Sequence, residues 1–499
     1  MPAEGERLDE AERFEAAQPA EPALGTVAAR GVGVLVGRTL GLQLLTAGVT
    51  VLLARILTPA DYGLFAIALA VQMVGQRAAE LGLPAALVRR EEDPAPELQS
   101  AVAGVMLIFA AGISGLVMLV AFAIAPAAGG DSETLRVIAV ATLAMPLYAA
   151  RAMPMVLMER RLAFGRVAIV ETADTLAFNG FALVASLAGL GAFSLSGAVP
   201  AGALAGVTAA WAIQPFARRP RVDLAPVRPL VGFGVRISVL QGIYLIRELG
   251  FVGIVAAIGG APLAGYYAMA KRLFSFPIAL TSAVARVAFP ALSREPELRP
   301  RRAARIAVYT AIAAGLPLAL VAGSVQPLLA VVLGDEWLPT TDVVLIGSLG
   351  MMLTASAGAT MISSFMADGD ARFPLASAIS ETAVLLVMAA LVVGPAAEAG
   401  VGLAMTVSTL VGILALAIGA HPMIRRSLLA VGKASAVAAA AVLVTQGLDF
   451  SEDLTGLALS LVTVTAVWLP LELLLSRDEV RRIVGIARSL LTRGRAATA

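Results

Sequence analysis

Long apolar runs separated by short polar connections fill most of the chain. The runs cover 34–56, 62–83, 98–125, 134–156, 165–189, 194–216, 231–258, 262–289, 303–333, 340–366, 371–394, 398–420, 430–448 and 454–475. A helix of about 20 apolar residues crosses the hydrocarbon core of a bilayer. The pattern therefore predicts an all-α polytopic membrane protein with about fourteen transmembrane helices. The ninth run is too long for one straight crossing. Pro317 and Pro327 predict a kink there, or a short extra segment before Gly334.

The connections alternate in charge. Those at 57–61, 126–133, 190–193, 259–261, 334–339, 395–397 and 449–453 hold no Lys or Arg. The intervening ones, and both ends of the chain, carry them. Positive charge collects on the cytoplasmic side of membrane proteins. The alternation thus predicts cytoplasmic termini and outward-facing cation-free connections.

Composition agrees with a membrane chain. Hydrophobic residues make up 59% and charged residues 14%, with a mean hydropathy of +0.87; soluble domains average roughly 25% charged residues. A net charge of +2 suggests no nucleic-acid partner. There are no cysteines, which excludes disulfides, iron–sulfur clusters and thiolate metal sites. The single histidine, His421, precedes Pro422 at the inner end of a run and reads as an interfacial loop residue. Residues 1–30 are acidic, without the basic start and apolar run of a signal peptide, and read as a disordered cytoplasmic tail. Residues 476–499 are basic, and Val480, Ile483, Val484, Ala487, Leu490 and Leu491 recur at helical spacing. That segment reads as an amphipathic helix on the inner leaflet.

The chain repeats itself. Gly63-Leu64-Phe65-Ala66-Ile67-Ala68 and Gly265-Tyr266-Tyr267-Ala268-Met269-Ala270 both follow a proline and begin inward-running helices. Farther along, Pro84-Ala85-Ala86-Leu87-Val88-Arg89 parallels Pro290-Ala291-Leu292-Ser293-Arg294. Six runs per repeat keep both halves in the same orientation, related by an axis along the membrane normal. The expected organisation is a six-helix bundle over 31–220, a second over 221–424, two additional helices within 425–475, and the tails. Two pseudo-symmetric bundles around a central cavity suit alternating access.

Charges in mid-bilayer are costly and face a cavity or a partner. They gather in the helices that open each repeat. Arg38, Thr39, Gln43, Thr46 and Thr50 form one helical stripe; Gln72, Gln76, Arg77 and Glu80 form a second. Ser238, Gln241, Tyr244, Arg247 and Glu248 form a third, and Tyr267, Lys271, Arg272 and Ser275 a fourth. Facing one another, the stripes would place Arg38, Arg77, Arg247, Lys271 and Arg272 against Glu80 and Glu248 alone. Such a cationic cleft suits an anionic ligand, and arginine forks suit phosphate oxygens. Structural pairing of Arg77 with Glu80, and of Arg247 with Glu248 or a neighbour, is the plainer alternative. Lys271 and Arg272 have no nearby acid in sequence.

Glu171 and Asp174 share one helix face as candidates for ion coupling, by H+ or Na+, or else pair with Arg160, Arg161 or Arg166. Glu381 reads as a lone intramembrane acid, while Arg55 and Arg136 sit at outer helix ends, within reach of lipid phosphates or helix C-terminal carbonyls. No nucleotide-binding glycine motif, paired-carboxylate site or metal-ligand cluster occurs; Gly31-Val32-Gly33 precedes a membrane run, not a Rossmann unit. The expectation is no cofactor, no metal and no enzymatic activity.

Leu53-Ala54-Arg55-Ile56-Leu57-Thr58-Pro59-Ala60-Asp61-Tyr62-Gly63-Leu64-Phe65-Ala66 resembles the opening signature of Wzx-type polysaccharide flippases. So does Glu80-Leu81-Gly82-Leu83-Pro84-Ala85-Ala86-Leu87-Val88-Arg89, as do the stretch from Gly265 to Leu273 and Phe289-Pro290-Ala291-Leu292-Ser293. Gly334-Asp335-Glu336-Trp337 is similar to an outer-loop element of that family, which commonly carries Lys where Glu336 stands here. The resemblance implies the multidrug/oligosaccharidyl-lipid/polysaccharide exporter fold in a bacterial cytoplasmic membrane. It implies movement of a polyprenyl-pyrophosphate-linked oligosaccharide to the outer leaflet. Membrane lipids, a polymerase and glycosyltransferases are the expected partners. A lipid II flippase and a drug–cation antiporter are the nearest alternatives; the second would want an acidic, aromatic cavity. A membrane glycosyltransferase or polymerase of the same pathway would need large outward loops.

Overall fold

The computed structural model describes residues 41–88, 90, 92–124, 132–215, 220–293, 299–354, 358–368 and 370–481. Residues Val49–Val484 form one compact unit; of the other, Met1–Gly48 with Gly485–Ala499, the described residues are 41–48, which begin the first helix. Arg38, Thr39, the 1–30 tail and the basic segment beyond Arg481 lie outside the described residues.

The described residues are helical almost throughout. In chain order the helices are α1 (Gly41–Ile56), α2 (Pro59–Glu80), α3 (Pro96–Ala123), α4 (Glu133–Arg160), α5 (Phe164–Leu187) and α6 (Ala192–Ile213). Then come α7 (228–259), α8 (261–293), α9 (Arg299–Gly323) and α10 (Thr340–Leu353, continued by Ala359–Asp368). The chain closes with α11 (372–396), α12 (398–419), α13 (Pro422–Gln446) and α14 (Leu454–Leu475). Among the described residues, nine helices are long and apolar enough to cross a membrane, counting each continuous rod once. The protein is a multi-pass membrane protein. The 22-residue α2 falls outside that set because Gln72, Gln76 and Arg77 interrupt its apolar sequence.

Two connections differ from the sequence pattern, and a third takes the short extra segment expected before Gly334. The loop expected at 259–261 is a break at one residue, Gly260, whose φ of 74° suits a residue without a Cβ. At 395–397 the break is at Ala397, with φ of 43°. The ninth run ends at Gly323. A short helix (Val325–Leu328), a π turn (Leu329–Leu333) and a 3-10 turn (Asp335–Trp337) then carry the chain to α10.

Described parts of several cation-free connections meet at one end. Gln446 donates to the carbonyls of Ala322 and Gly323, and Gln326 to Glu452. Asp61, in the capping box of α2, lies beside Gly191. At the opposite end of α2 two of the basic connections meet. There Arg160 donates to the carbonyls of Leu87, Arg90 and Glu92 and pairs with Asp93 at 3.2 Å. Beyond α6 the chain returns along α3, where the Arg221 amide donates to the Ser100 carbonyl and the backbone passes directly over Gly104.

The repeat read from sequence has a physical counterpart where α2 crosses α8. A Cβ on Gly63 would strike the carbonyl oxygen of Ala261, and one on Gly265 would strike that of Pro59. Positions 59 and 261, like 63 and 265, are 202 apart. The contact is therefore reciprocal: each helix start presents a glycine to the other's first-turn carbonyl. Around this crossing the main hydrophobic core gathers Tyr62, Phe65, Phe251, Leu263, Tyr267 and Trp337.

Candidate functional site

The α2 stripe forms a continuous side-chain ladder. Gln72 Nε2 donates to Gln76 Oε1 at 3.0 Å, and Gln76 Nε2 donates to Glu80 Oε1 at 2.9 Å. Arg77 pairs with the other Glu80 oxygen at 3.1 Å. Residues four apart lie above one another on a helix, so the spacing itself builds the ladder.

On α7 and α8 the partners differ from those suggested by sequence proximity. Lys271 Nζ pairs with Glu248 Oε1 at 2.5 Å and lies 5.5 Å from the Tyr267 ring centre. Lys271 therefore has an acid after all, one that is 23 residues away in sequence. Arg247 pairs instead with Glu381 of α11 at 2.7 Å, so Glu381 is not a lone acid. Gly412 of α12 lies against the Glu381 side chain.

Arg272 is different. Among the described residues no carboxylate lies within ion-pair distance of it. Its Nη1 donates to Thr50 Oγ1 at 3.0 Å, and its guanidinium carbon sits 5.1 Å from the Tyr62 ring centre. Tyr62 is fully buried, and its ring meets that of Trp337 edge-on at 5.1 Å. Trp337 Nε1 donates to the Ala54 carbonyl at 2.9 Å. Next to Ala54, Arg55 Nε donates to Val332 O at 3.0 Å and its Nη2 to Val331 O. Of the two destinations open to Arg55, the structure takes the helix C-terminal carbonyls.

Other expected lining residues divide. Ser275 donates its hydroxyl to the Arg272 carbonyl at 2.6 Å. Tyr267 is buried against Phe251, with ring centres 4.9 Å apart, whereas Tyr244 is exposed. Gln43 is exposed and Thr46 half-buried, while the side chain of Gln241 lies outside the described residues. In α5, Asp174 pairs with Arg151, not with Arg160, Arg161 or Arg166; Arg161 reaches Gln214 instead. Arg151 also stacks 4.7 Å from the Tyr148 ring centre, in a notch left by Gly202 and Gly206 of α6. Glu171 is exposed.

The charge balance changes accordingly. Four described cations, Arg77, Arg247, Lys271 and Arg272, stand with three carboxylates, Glu80, Glu248 and Glu381. Counting Arg38, the excess is two rather than the three expected. Sequence reasoning missed Arg151, which lies near enough to the basic end of α4 to be grouped with orienting charges. It also missed Tyr62 and Trp337 as site residues, although both stand in the family-like stretches 53–66 and 334–337. Arg247 and Glu381 were each visible as an intramembrane charge needing a partner, but nothing in the sequence joined them.

Residues 52–342, more than half of the chain, match the family described as "Polysaccharide biosynthesis protein". The succinoglycan biosynthesis transport protein ExoT of Rhizobium meliloti (strain 1021) is 25% identical over 306 residues, which span 60% of each protein. Among solved structures, the lipid II flippase MurJ in an inward closed conformation is similar with a TM-score of 0.71 at 14% identity, over 90% of this chain and 99% of that one. An inward-facing multidrug resistance MATE family transporter of the MOP superfamily gives a TM-score of 0.50 at 15% identity, over 79% and 94%. These likenesses establish the transporter fold.

Proposed function

The chain belongs to the polysaccharide biosynthesis protein family, and from that premise we propose that it moves a polyprenyl-pyrophosphate-linked oligosaccharide from the cytoplasmic to the outer leaflet by alternating access. In this reading 31–220 and 221–424 are the two moving bundles, 425–475 an addition, and the basic end faces the cytoplasm of a bacterial cell. A lipid tail can remain in the bilayer while only the polar head crosses a hydrated cleft. The catalogue of partners is then the glycan lipid, bulk lipid, and the enzymes that make and polymerise it.

The observation that carries the proposal is Arg272. It is a guanidinium inside the membrane region held by a neutral hydroxyl and an aromatic face, with no described carboxylate. Such a group keeps its capacity for a phosphate fork. Arg38, Arg77, Arg247 and Lys271 would add to the same attraction. Thr39, Gln43, Thr46, Gln76, Glu80, Gln241, Tyr244, Glu248, Tyr267 and Ser275 would line the path. The pairs with Glu80, Glu248 and Glu381 hold three of the cations without removing their hydrogens from reach. Coupling to H+ or Na+ at Glu171 and Asp174 belongs to the proposal. The Arg151–Asp174 pair makes the exchange of Asp174 from Arg151 to an ion its central requirement.

Substituting Lys271 and Arg272 with Gln together should abolish surface polysaccharide while the protein still reaches the membrane. Arg272→Gln alone should cost more export than Lys271→Gln. Flipping of a lipid-linked oligosaccharide in proteoliposomes, compared with lipid II, measures both activity and cargo. Unchanged export in the double variant would refute the assignment.

A further inference from the structure

We propose that Tyr62 is a positioning residue that couples headgroup capture at Arg272 to release of the closed, cation-free end. The proposal rests on the cargo reading above. Tyr62 sits between two groups that belong to different tasks. One is the Arg272 guanidinium, 5.1 Å from its ring centre. The other is Trp337, edge-on at the same distance. Trp337 is itself fixed to the Ala54 carbonyl, and the neighbouring Arg55 to the carbonyls of Val331 and Val332. These contacts tie the α1–α2 corner to the segment between α9 and α10, across more than 270 residues of sequence. Any opening of that end must break them.

Arg272 touches the same corner from below. Its Nη1 bonds the Thr50 hydroxyl, and the Tyr62 hydroxyl lies 3.4 Å from the Thr50 carbonyl. Thr50, Tyr62 and Arg272 thus form one triangle, with Trp337 attached to its aromatic side. Cation–π attraction acts over about 6 Å from a ring centre and fades when the cation moves to a better partner. A pyrophosphate is such a partner, because charge-assisted bonds to phosphate oxygens are stronger than a bond to a hydroxyl. On capture, Arg272 leaves the ring and the hydroxyl. Tyr62 then loses one of its two supports, and the Trp337–Ala54 contact is weakened. A ligand shifts an equilibrium only by its differential affinity for two states. Here the difference arises at Arg272, which presents its full fork to phosphate only in the state where it has left the Thr50 hydroxyl and the Tyr62 ring.

The chain has no cysteine, so Leu57→Cys, buried beside the α1–α2 corner, would be its single thiol. The experiment uses the full chain in proteoliposomes with a membrane-impermeant maleimide added outside. Farnesyl pyrophosphate is the probe, farnesol the control. The expected result is a roughly tenfold faster labelling with farnesyl pyrophosphate, a shift of about 1.4 kcal/mol, and no change with farnesol. In Tyr62→Leu, farnesyl pyrophosphate still binds but no longer accelerates labelling, because the ring that joins the two contacts is gone. Tyr62→Phe keeps the ring and keeps the acceleration. A structural role alone would not separate binding from acceleration in this way.

If Tyr62→Leu accelerates like the parent, the coupling is overturned while the cargo reading stands. If Arg272→Gln binds farnesyl pyrophosphate as tightly as the parent, the cargo reading itself fails. Should Tyr62→Leu not accumulate in the membrane, Trp337→Phe carries the test. Without its bond to Ala54 the cysteine should label fast before any ligand is added, and slow labelling there overturns the proposal.

Discussion

The regions on either side of the Arg272 triangle use their hydrogen-bond donors in opposite ways. At the cation-free end, Arg55 and Trp337 donate to backbone carbonyls, and α2 and α8 approach so closely that only glycine fits at 63 and 265. In the stripes below, Lys271, Arg247 and Arg77 pair with side-chain carboxylates and stay partly exposed, Arg77 by half. Carbonyls are fixed by the helix that owns them. Carboxylates on mobile stems are not. The first arrangement makes a seal with one geometry; the second keeps charge available while limiting its cost in a membrane.

The sharpest way to break this contrast is at the seal. Gly63→Val and Gly265→Val should each lose most folded protein, since the added atoms meet backbone that cannot swing aside. The cost should reach or exceed the roughly 1–3 kcal/mol typical of overpacking. Size-exclusion profiles after graded heating would report it, and parent-like melting in either variant would show that the crossing is not required. Next comes the Arg247–Glu381 pair. Removing one member of a buried pair costs about 3–5 kcal/mol. Partial exposure of Arg247 lowers the expectation for Glu381→Gln to about 1–3 kcal/mol. The double change Arg247→Leu with Glu381→Leu should recover much of that, read as Tm in detergent; no recovery would mean that the two side chains act separately.

Arg55→Gln should cost about 1 kcal/mol, the net worth of the carbonyl bonds lost, and should raise outside labelling of Leu57→Cys before any ligand is added. The smallest effect belongs to Asp370, half-buried at the turn before α11. Hydrogen bonds from Arg372 hold its carboxyl below the ordinary carboxylate range. A folded pKa below the unfolded one gives stability that is present above the unfolded value and lost as pH falls through the folded one. With Arg372 largely exposed and Asp370 half-buried at the surface, Asp370→Asn should leave Tm at neutral pH nearly unchanged in physiological salt. A measurable drop would mean that the turn is more constrained than its exposure implies.

Much of the architecture was readable from periodicity. Apolar runs and cation-free connections are one-dimensional signals, and Gly63 with Gly265 marked the repeat before the crossing explained it. The α2 ladder was equally readable, because a four-residue spacing fixes neighbours on one helix. Pairing between helices was not. Lys271 with Glu248, Arg247 with Glu381 and Arg151 with Asp174 depend on which faces meet, and no spacing within a helix carries that information. Trp337 shows the same limit: its loop was evident, but its insertion beneath the α1–α2 corner depends on a turn of π and 3-10 geometry after Gly323.

The breaks at Gly260 and Ala397 have a wider consequence. Two of the described connections at the cation-free end are a single residue long. A link of that length has no slack, so α7 and α8, and likewise α11 and α12, are tied end to end, and a tilt of one helix in either couple is passed to the other at the break.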